Sequence, residues 1–157
     1  MALKKNKLLK SNKLHNNCSY TYKKILGLLI KKGLKSKAKS ILDFALFKVS
    51  SKLKSSPKIV LLKIFLKLNT FVEVRKIRLR KRLVFVPFYI SYSRRLFLIA
   101  KWLVMATSSN KQKIPFSEKL STEILNILTL KNSKAVSFKL LNIKQALKNR
   151  SNTHYRW

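Results

Sequence analysis

Apolar residues recur at helical spacing over the first part of the chain. A run of isoleucines and leucines at about residues 22–32 predicts a buried helix that closes at Gly33. Ser36 is placed to cap a second helix, whose apolar stripe extends to Val49. A polar break then precedes Pro57, a residue that suits the first turn of a helix, so a third helix is predicted at about 58–68.

The same spacing returns in the second half of the chain. Ser93 can cap a fourth helix, and a polar linker at 107–115 separates it from a fifth helix that includes Ser117. The apolar face of the last helix is formed by Val136, Leu140, Ile143 and Leu147. The periodicity therefore predicts six helices.

Between the third and fourth helices the pattern changes to one typical of strands. β-Branched and aromatic residues at 71–77 and 83–90 flank a short basic stretch, which predicts a β-hairpin at about 71–90. Its tip, residues 78–82, lacks the Gly or Asn that tight two-residue turns prefer. Residues 1–20 show no hydrophobic periodicity and predict a flexible basic arm. The predicted fold is mainly α: a single six-helix domain at 21–157 with one projecting β-hairpin between the third and fourth helices.

Charge limits the possible partners of such a domain. The chain has 37 Lys and Arg against four acids, a formal net charge of +33 over 157 residues. Like charge at that density opposes a compact state unless a polyanion neutralises it. A hydrophobic content of 46% is nevertheless normal for a folded domain and too high for a disordered basic tail. The combination predicts a folded protein whose partner is nucleic acid.

A membrane role is the alternative that composition leaves open. The longest apolar runs, near 59–68 and 96–106, are interrupted by lysines and fall short of the roughly twenty apolar residues that a spanning helix needs, so no membrane insertion is predicted. Basic amphipathic helices can also lie on anionic lipid, and a membrane-surface protein is therefore the alternative function. The first 24 residues are basic and free of acids, as in a transit peptide, but they contain no Arg, and we expect an RNA-binding tail.

Catalytic chemistry is excluded by the scarcity of the residues that it needs. His15 and His154 lie at opposite ends, the four acids are scattered singly, and the two glycines permit no phosphate-binding loop. The single cysteine, Cys18, forms neither an internal disulfide nor a cysteine-based zinc site and is expected to be an incidental thiol in the arm. We therefore expect no enzyme activity, no metal and no cofactor.

Three further side chains have expected structural roles. Glu73 is expected to form an ion pair with Arg75 within the first strand, and Asp43 to face a neighbouring Lys. Trp102 lies near an apolar helix face, which favours packing in the core over a role in binding.

Five segments, in order, resemble the pattern of a known family. They are Gly33 with Lys35-Ser36 and the apolar stripe that follows, Phe71–Val74, Val86-Pro87, Arg94-Arg95 with Lys101-Trp102, and the terminal His154–Trp157. Together they resemble the bacterial-type family of small ribosomal subunit protein seven over about residues 24–157. The resemblance implies a structural protein that binds the 3′ major domain of small-subunit rRNA and organises the head during assembly. It also implies a position near the exit-site tRNA and the mRNA path, beside neighbouring head and platform proteins.

The resemblance and the clustering of basic residues together define the candidate binding residues. Five lysines crowd the first interhelical loop, and six basic residues crowd the hairpin, where phosphate contacts would release counterions. Binding to rRNA is expected of Lys31, Lys32, Lys35, Lys37, Lys39, Arg75, Lys76, Arg78, Arg94, Arg95 and Lys101. Proximity to mRNA and exit-site tRNA is expected of Arg80, Lys81, Arg82, Lys144, Lys148, Arg150, His154, Tyr155, Arg156 and Trp157.

The chain departs from the family pattern at three places. One is Thr70, just before the first strand, where the family usually has a Pro. Arg80-Lys81 stands where the family has a Gly-Gly pair at the hairpin tip. The last helix has exchanged charged residues for apolar ones, so that Phe138 and Leu141 are expected to face a protein neighbour. Such drift resembles that of organellar ribosomes. We expect a protein of the mitochondrial ribosome, in the matrix, with the plastid ribosome as the alternative.

Overall fold

Helices dominate the computed structural model, which describes residues 18–129 and 132–156. The elements in chain order are α1 (residues 18–29), α2 (Lys35–Leu53), α3 (Pro57–Leu68), β1 (Val72–Leu79), β2 (Arg82–Tyr89), α4 (Tyr92–Ser108), α5 (Phe116–Thr129), α6 (Lys134–Lys148) and a 3₁₀ helix (Arg150–Tyr155). The two strands form an antiparallel hairpin between α3 and α4. The prediction of a mainly helical fold with one hairpin at this point is confirmed.

The first two helices differ in their bounds from the sequence prediction. The chain is already helical at residue 18, within the stretch assigned to the flexible arm, and α1 ends at residue 29 rather than 32. The remainder of the predicted arm lies outside the described residues. Gly33 (φ +75°) and Lys32 (φ +51°) form a left-handed turn between the helices. That turn delivers the chain into α2 at Lys35, with Leu34 at the cap, so the prediction of Ser36 as the cap is wrong.

The start of α4 also differs from the prediction, because a tertiary hydrogen bond sets it. The Ile90 amide donates to the Phe71 carbonyl at 3.1 Å, which extends the pairing of the hairpin to the point where the helix begins. Ser91 therefore occupies the cap, and Ser93 lies inside the first turn. By contrast, Pro57 begins α3 as its local chemistry predicts.

The core lies among α2, α3, α4 and α5. Its fully buried side chains include Leu42, Val49, Ile64, Ile99, Leu103, Leu120 and Ile124. Burial of each such side chain is worth roughly 1.5–3 kcal/mol, so these contacts hold the helices together. Trp102 is 7% exposed and packs with Ile90 and Leu98, which confirms its predicted place in the interior.

The apolar pattern of α6 predicted more burial than the structure has. Within this helix only Ala135 is buried, while Leu140 and Leu147 are 58% and 64% exposed. The first turn of α6 docks on the core, and Phe138 packs against it instead of facing outward. Leu141 is exposed, as expected. The physical reason is that α6 lies across the edge of the bundle, where one side of the helix has no partner within the described chain.

The hairpin turns through two residues, a tighter connection than the sequence predicted. Leu79 pairs with Arg82, so Arg80 and Lys81 form the whole turn. Arg80 has φ +50°, a left-handed conformation that normally favours Gly or Asn. Across residues 18–129 and 132–156, no helix combines the length and the apolar character that crossing a bilayer requires.

Candidate nucleic-acid interface

The first basic cluster surrounds the start of α2. All of its members are exposed, and we call them the α2 patch: Lys31, Lys32, Lys35, Lys37 and Lys39. No side chain caps α2, and its first turn contains no acid. Lysines near the N-terminus of a helix interact unfavourably with the positive end of its dipole. An anion at the same place is stabilised by both the dipole and the backbone amides. The α2 patch is thus suited to bind phosphate.

The second cluster covers both faces of the hairpin. On one face, Lys76 pairs with Phe85, and its amine lies 5.4 Å from the ring centroid. On the other face, the Arg75 guanidinium lies 5.3 Å from the centroid of Phe88. Aromatic rings beneath cations hold them in place at little entropic cost. Beyond these pairs lie the exposed tip residues: Arg78, Arg80, Lys81 and Arg82.

Arg94 connects the hairpin to α4. Its Nε and Nη2 donate to the two carboxylate oxygens of Glu73 at 2.9 and 2.6 Å, a bidentate pair that fixes β1 to the helix. Arg75, the partner expected from the sequence, lies 3.8 Å from the same carboxylate and is the weaker contact. The hydrogen bond from Arg94 lowers the pKa of Glu73, and the same bond raises the pKa of Arg94. Arg94 is therefore committed to positioning the hairpin.

Arg95 lies among three aromatic rings at the start of α4. Its guanidinium carbon is 4.8 Å from the ring centroid of Phe71, 5.8 Å from Tyr92 and 6.0 Å from Tyr89. Its Nε is buried and has no hydrogen-bond acceptor within the described part of the chain. A guanidinium held this way is preorganised for a phosphate oxygen. Lys101, further along the same helix, is exposed.

The C-terminal residues lie directly against the hairpin. The Asn142 side chain of α6 donates to the Val72 carbonyl at 2.8 Å, and Asn152 of the 3₁₀ helix donates to the Phe85 carbonyl at 3.1 Å. Arg156 donates through Nε to the Pro87 carbonyl. The structure thus brings together the hairpin and the C-terminal residues that were expected near tRNA.

Not all of these candidates are equally accessible. Lys144, Lys148, Arg150 and His154 are exposed. Tyr155 is half-buried, with its ring centroid 3.9 Å from that of His154. Trp157 lies outside the described residues. The α2 patch belongs to another part of the fold, because α2 packs on α3 and α5 whereas the hairpin packs on α6 and the 3₁₀ helix.

The four acids are all engaged in contacts within the protein. Besides the Glu73 pair, Glu118 accepts from Lys48 at 2.9 Å. Asp43 accepts from the Tyr22 hydroxyl at 2.7 Å, so the expectation of a lysine partner is wrong. Burial and this hydrogen bond raise the pKa of Tyr22 to about 12. Glu123, the fourth acid, is buried in α5 against the first turn of α6.

Two structural residues were not apparent from the sequence. The Glu123 carboxylate accepts from the Ser133 hydroxyl at 2.7 Å and the Ala135 amide at 3.0 Å, which ties α5 to the first turn of α6. Cys18 is also structural rather than incidental: it is buried in α1, its thiol donates to the Lys58 carbonyl at 3.3 Å, and burial raises its pKa. Neither residue carries a local signal, because the partners of both are distant in sequence.

The arrangement can bind a polyanion but assembles no reactive group. Among the described residues, no three of the His, Cys, Asp and Glu side chains lie close enough to hold a metal ion. The surface presents exposed amines and guanidinium groups, and aromatic rings lie against several of them. Such groups recognise phosphates and stacked bases.

Comparisons with known proteins identify the family of the chain. The model of the family Ribosomal protein S7p/S5e matches residues 1–150. The chain is 31% identical to the small ribosomal subunit protein uS7 of Dinoroseobacter shibae over 134 residues, 85% of each chain. It is also 31% identical to the uS7 of Trichlorobacter lovleyi, over 87% of this chain and 86% of that relative. A match of this extent leaves one conclusion: the chain belongs to the ribosomal protein S7p/S5e family.

Proposed function

We propose that this protein, as a structural constituent of the small ribosomal subunit, binds the 3′ major domain of the small-subunit rRNA and organises assembly of the head. Its family is structural and non-enzymatic. The observation that carries the proposal is that all four acids are engaged inside the protein while the basic clusters are exposed. The large positive charge must therefore be neutralised from outside.

The proposal assigns the two parts of the surface to different contacts. The rRNA phosphates would be bound by the α2 patch together with Arg75, Lys76, Arg78, Arg95 and Lys101, with counterion release as the driving force. Arg80, Lys81 and Arg82 of the tip and the C-terminal candidates would lie near the exit-site tRNA and the mRNA path, which their common location supports. Arg94 contributes indirectly by holding the hairpin at its base.

Protein neighbours in the head and platform would cover the apolar side of α6. Leu140 and Leu141 are both more than half exposed, and proteins rarely leave adjacent large apolar side chains uncovered. The membrane-surface alternative has no support in the family assignment or in the fold.

The proposed location is the mitochondrial ribosome, with the plastid ribosome as the alternative. The support is compositional: the chain is rich in Lys, Leu, Ile, Asn and Ser and has two glycines, as an AT-rich organellar genome would produce. The bacterial relatives do not distinguish the two organelles. Fractionation of the source cells, with detection of this chain in purified organellar ribosomes, decides between them.

Salt-dependent binding tests the central claim. The full chain is titrated with the 3′ major domain of small-subunit rRNA over a range of salt concentrations. Replacing Lys35, Lys37 and Lys39 with Ala should weaken binding and lower the slope of log K against log salt by about 0.7–0.9 for each phosphate that is no longer neutralised. The matched control replaces Lys111 and Lys113, which are exposed in the loop between α4 and α5. An unchanged slope in the α2 variant, or an equal decrease per lysine in the control, would contradict a specific role for the α2 patch.

A further inference from the structure

A cleft of about 450 Å³ lies between the base of the hairpin, α6 and the 3₁₀ helix. Its walls are largely apolar and include Phe71, Pro87, Ile143 and Leu147. Phe71 and Leu147 are exposed, so they form a rim that a ligand would cover. The volume falls in the range of about 300–1,000 Å³ that is usual for sites that hold a small molecule.

The polar groups of this cleft favour a particular ligand. Asn69, at the end of α3, has a buried side-chain oxygen with no hydrogen-bond donor among the described residues. An unpaired buried acceptor is costly, and a ligand that donates to it recovers that cost. Arg150 and Arg156 also line the cleft, and the bond from Arg156 Nε to Pro87 leaves its terminal nitrogens to bind an anion.

Apolar walls, one buried acceptor and two guanidinium groups match the parts of a nucleotide. The walls suit the faces of a base, the acceptor suits an exocyclic amino group, and the guanidinium groups suit the phosphate. A peptide with acidic side chains alone would satisfy the arginines but would leave the apolar walls without a matching group. Lys139 also lines the cleft, and its amine donates to the Lys67 carbonyl at 2.6 Å.

We propose that this hairpin cleft holds one unstacked nucleobase of the bound RNA. The exocyclic amino group of an adenine or cytosine donates to Asn69, and the attached phosphate lies on Arg150 and Arg156. The inference rests on the proposed RNA binding and adds to it a site that reads a base, whereas the α2 patch and the hairpin tip contact phosphates alone.

The test separates base-dependent from charge-dependent binding. The full chain, in salt that circular dichroism shows to be sufficient for its fold, is titrated with fluorescent RNA octamers of adenosine, cytidine or uridine, and with an abasic octamer of equal charge. The adenosine and cytidine octamers should bind about tenfold more tightly than the abasic one, the factor expected for one base held by stacking and a hydrogen bond. The affinity of the uridine octamer, whose base has no exocyclic amino group, should lie between those of the adenosine and abasic octamers. Equal affinities for adenosine and abasic octamers would overturn the proposal.

Variants locate the base preference in the cleft. Ala146→Phe fills the cleft from α6 without changing charge, and Asn69→Leu removes the acceptor. Both should abolish most of the base preference and leave the salt slope unchanged. Lys148→Gln is the matched control, because it removes an exposed cation of α6 outside the cleft and should lower the salt slope alone. A base preference that survives Ala146→Phe places the base elsewhere and refutes the cleft.

A second measurement does not depend on how the free variants fold. Ultraviolet cross-linking of assembled small subunits, followed by mass spectrometry, should find a nucleotide adduct on Phe71. A protein cross-link there instead, or no adduct while hairpin lysines carry one, would overturn the proposal. If none of the octamers shows salt-dependent binding, the proposed function itself fails, an outcome distinct from the loss of base preference.

Discussion

Replacement of Arg94 by Gln should detach the hairpin from α4 and reduce the stability of the fold. The guanidinium donates two short hydrogen bonds to Glu73, whose side chain is 13% exposed, while that of Arg94 is 41% exposed. The variant keeps a polar side chain but loses the charge and the forked geometry. It leaves a largely buried carboxylate without its main partner.

The expected magnitude follows from the partial burial of the pair. Exposed ion pairs contribute about 0.2–1 kcal/mol, whereas removal of one member of a fully buried pair costs about 3–5 kcal/mol. A bidentate pair with one member mostly buried lies between these limits, and we expect a loss of about 1–2 kcal/mol in the free energy of unfolding. For a chain of this size that corresponds to a melting temperature lower by about 3–6 °C.

Thermal unfolding followed by circular dichroism measures the effect. Concentrated sodium sulfate supports the fold by screening its like charges, because the Debye length is only about 3 Å at 1 M ionic strength. Lys101→Gln is the control: it removes one exposed charge from the same helix and should change stability by less than about 0.5 kcal/mol. In RNA titrations the order of the effects should be reversed: Lys101→Gln should lower the salt slope of binding, and Arg94→Gln should change it little.

The pH dependence gives an independent check on the pair. The hydrogen bond from Arg94 lowers the pKa of Glu73 in the folded state. The stabilisation is therefore complete above the pKa of the unfolded carboxyl group and is lost as the pH falls through the lower, folded value. The difference between wild type and Arg94→Gln should be full at neutral pH and shrink in acid. A variant as stable as wild type at neutral pH, or one with a reduced salt slope, would refute the assignment of Arg94 to the fold and return it to the RNA contacts.

Three other outcomes are expected. The free chain should be poorly helical at low salt and gain helix when cognate rRNA is added, because its charge opposes compaction; a cooperative helical melt by circular dichroism at low ionic strength would contradict this. Changing all four tip residues to Ser should leave incorporation into small subunits near normal on a gradient but impair reading-frame or start-site accuracy; exclusion from subunits would make the tip an assembly anchor. Glu123→Ala should cost about 2 kcal/mol in stability by releasing the first turn of α6, whereas the exposed neighbour change Thr122→Ala should have little effect on the melting temperature.

A feature of the fold could be predicted from the sequence when its physical cause lies in neighbouring residues. The start of α3 follows from the fixed backbone of Pro57, and the burial of Trp102 follows from the apolar stripe around it. The caps of α2 and α4 lie two residues before the predicted serines. The left-handed turn at Lys32-Gly33 leads the chain into α2 after Leu34, and the hydrogen bond from Ile90 to Phe71 places the start of α4 after Ser91.

The residues of the candidate interface differ in the same way: features with a local cause could be predicted, and contacts between distant segments could not. Exposure of the α2 patch and the hairpin tip could be predicted, since clustered charge with few acids has nowhere to be buried. The partner of Glu73 could not, because Arg94 is 21 residues away and meets it only when the hairpin docks. The C-terminal contacts to the hairpin, made by Asn142 and Asn152, likewise join segments about 70 residues apart and have no local signature.

Arg80 at the turn has a consequence for how the hairpin opens. Its left-handed backbone costs a non-glycine residue about 1 kcal/mol or more, and the neighbouring charges repel one another. The base, in contrast, is fastened by Glu73, by Asn142 and by Arg156. Local unfolding of the hairpin should therefore begin at the turn and proceed toward the base. An anion that binds the tip residues would offset their mutual repulsion and stabilise the strand pairing there. The outer half of the hairpin therefore becomes fully rigid only when it meets its partner.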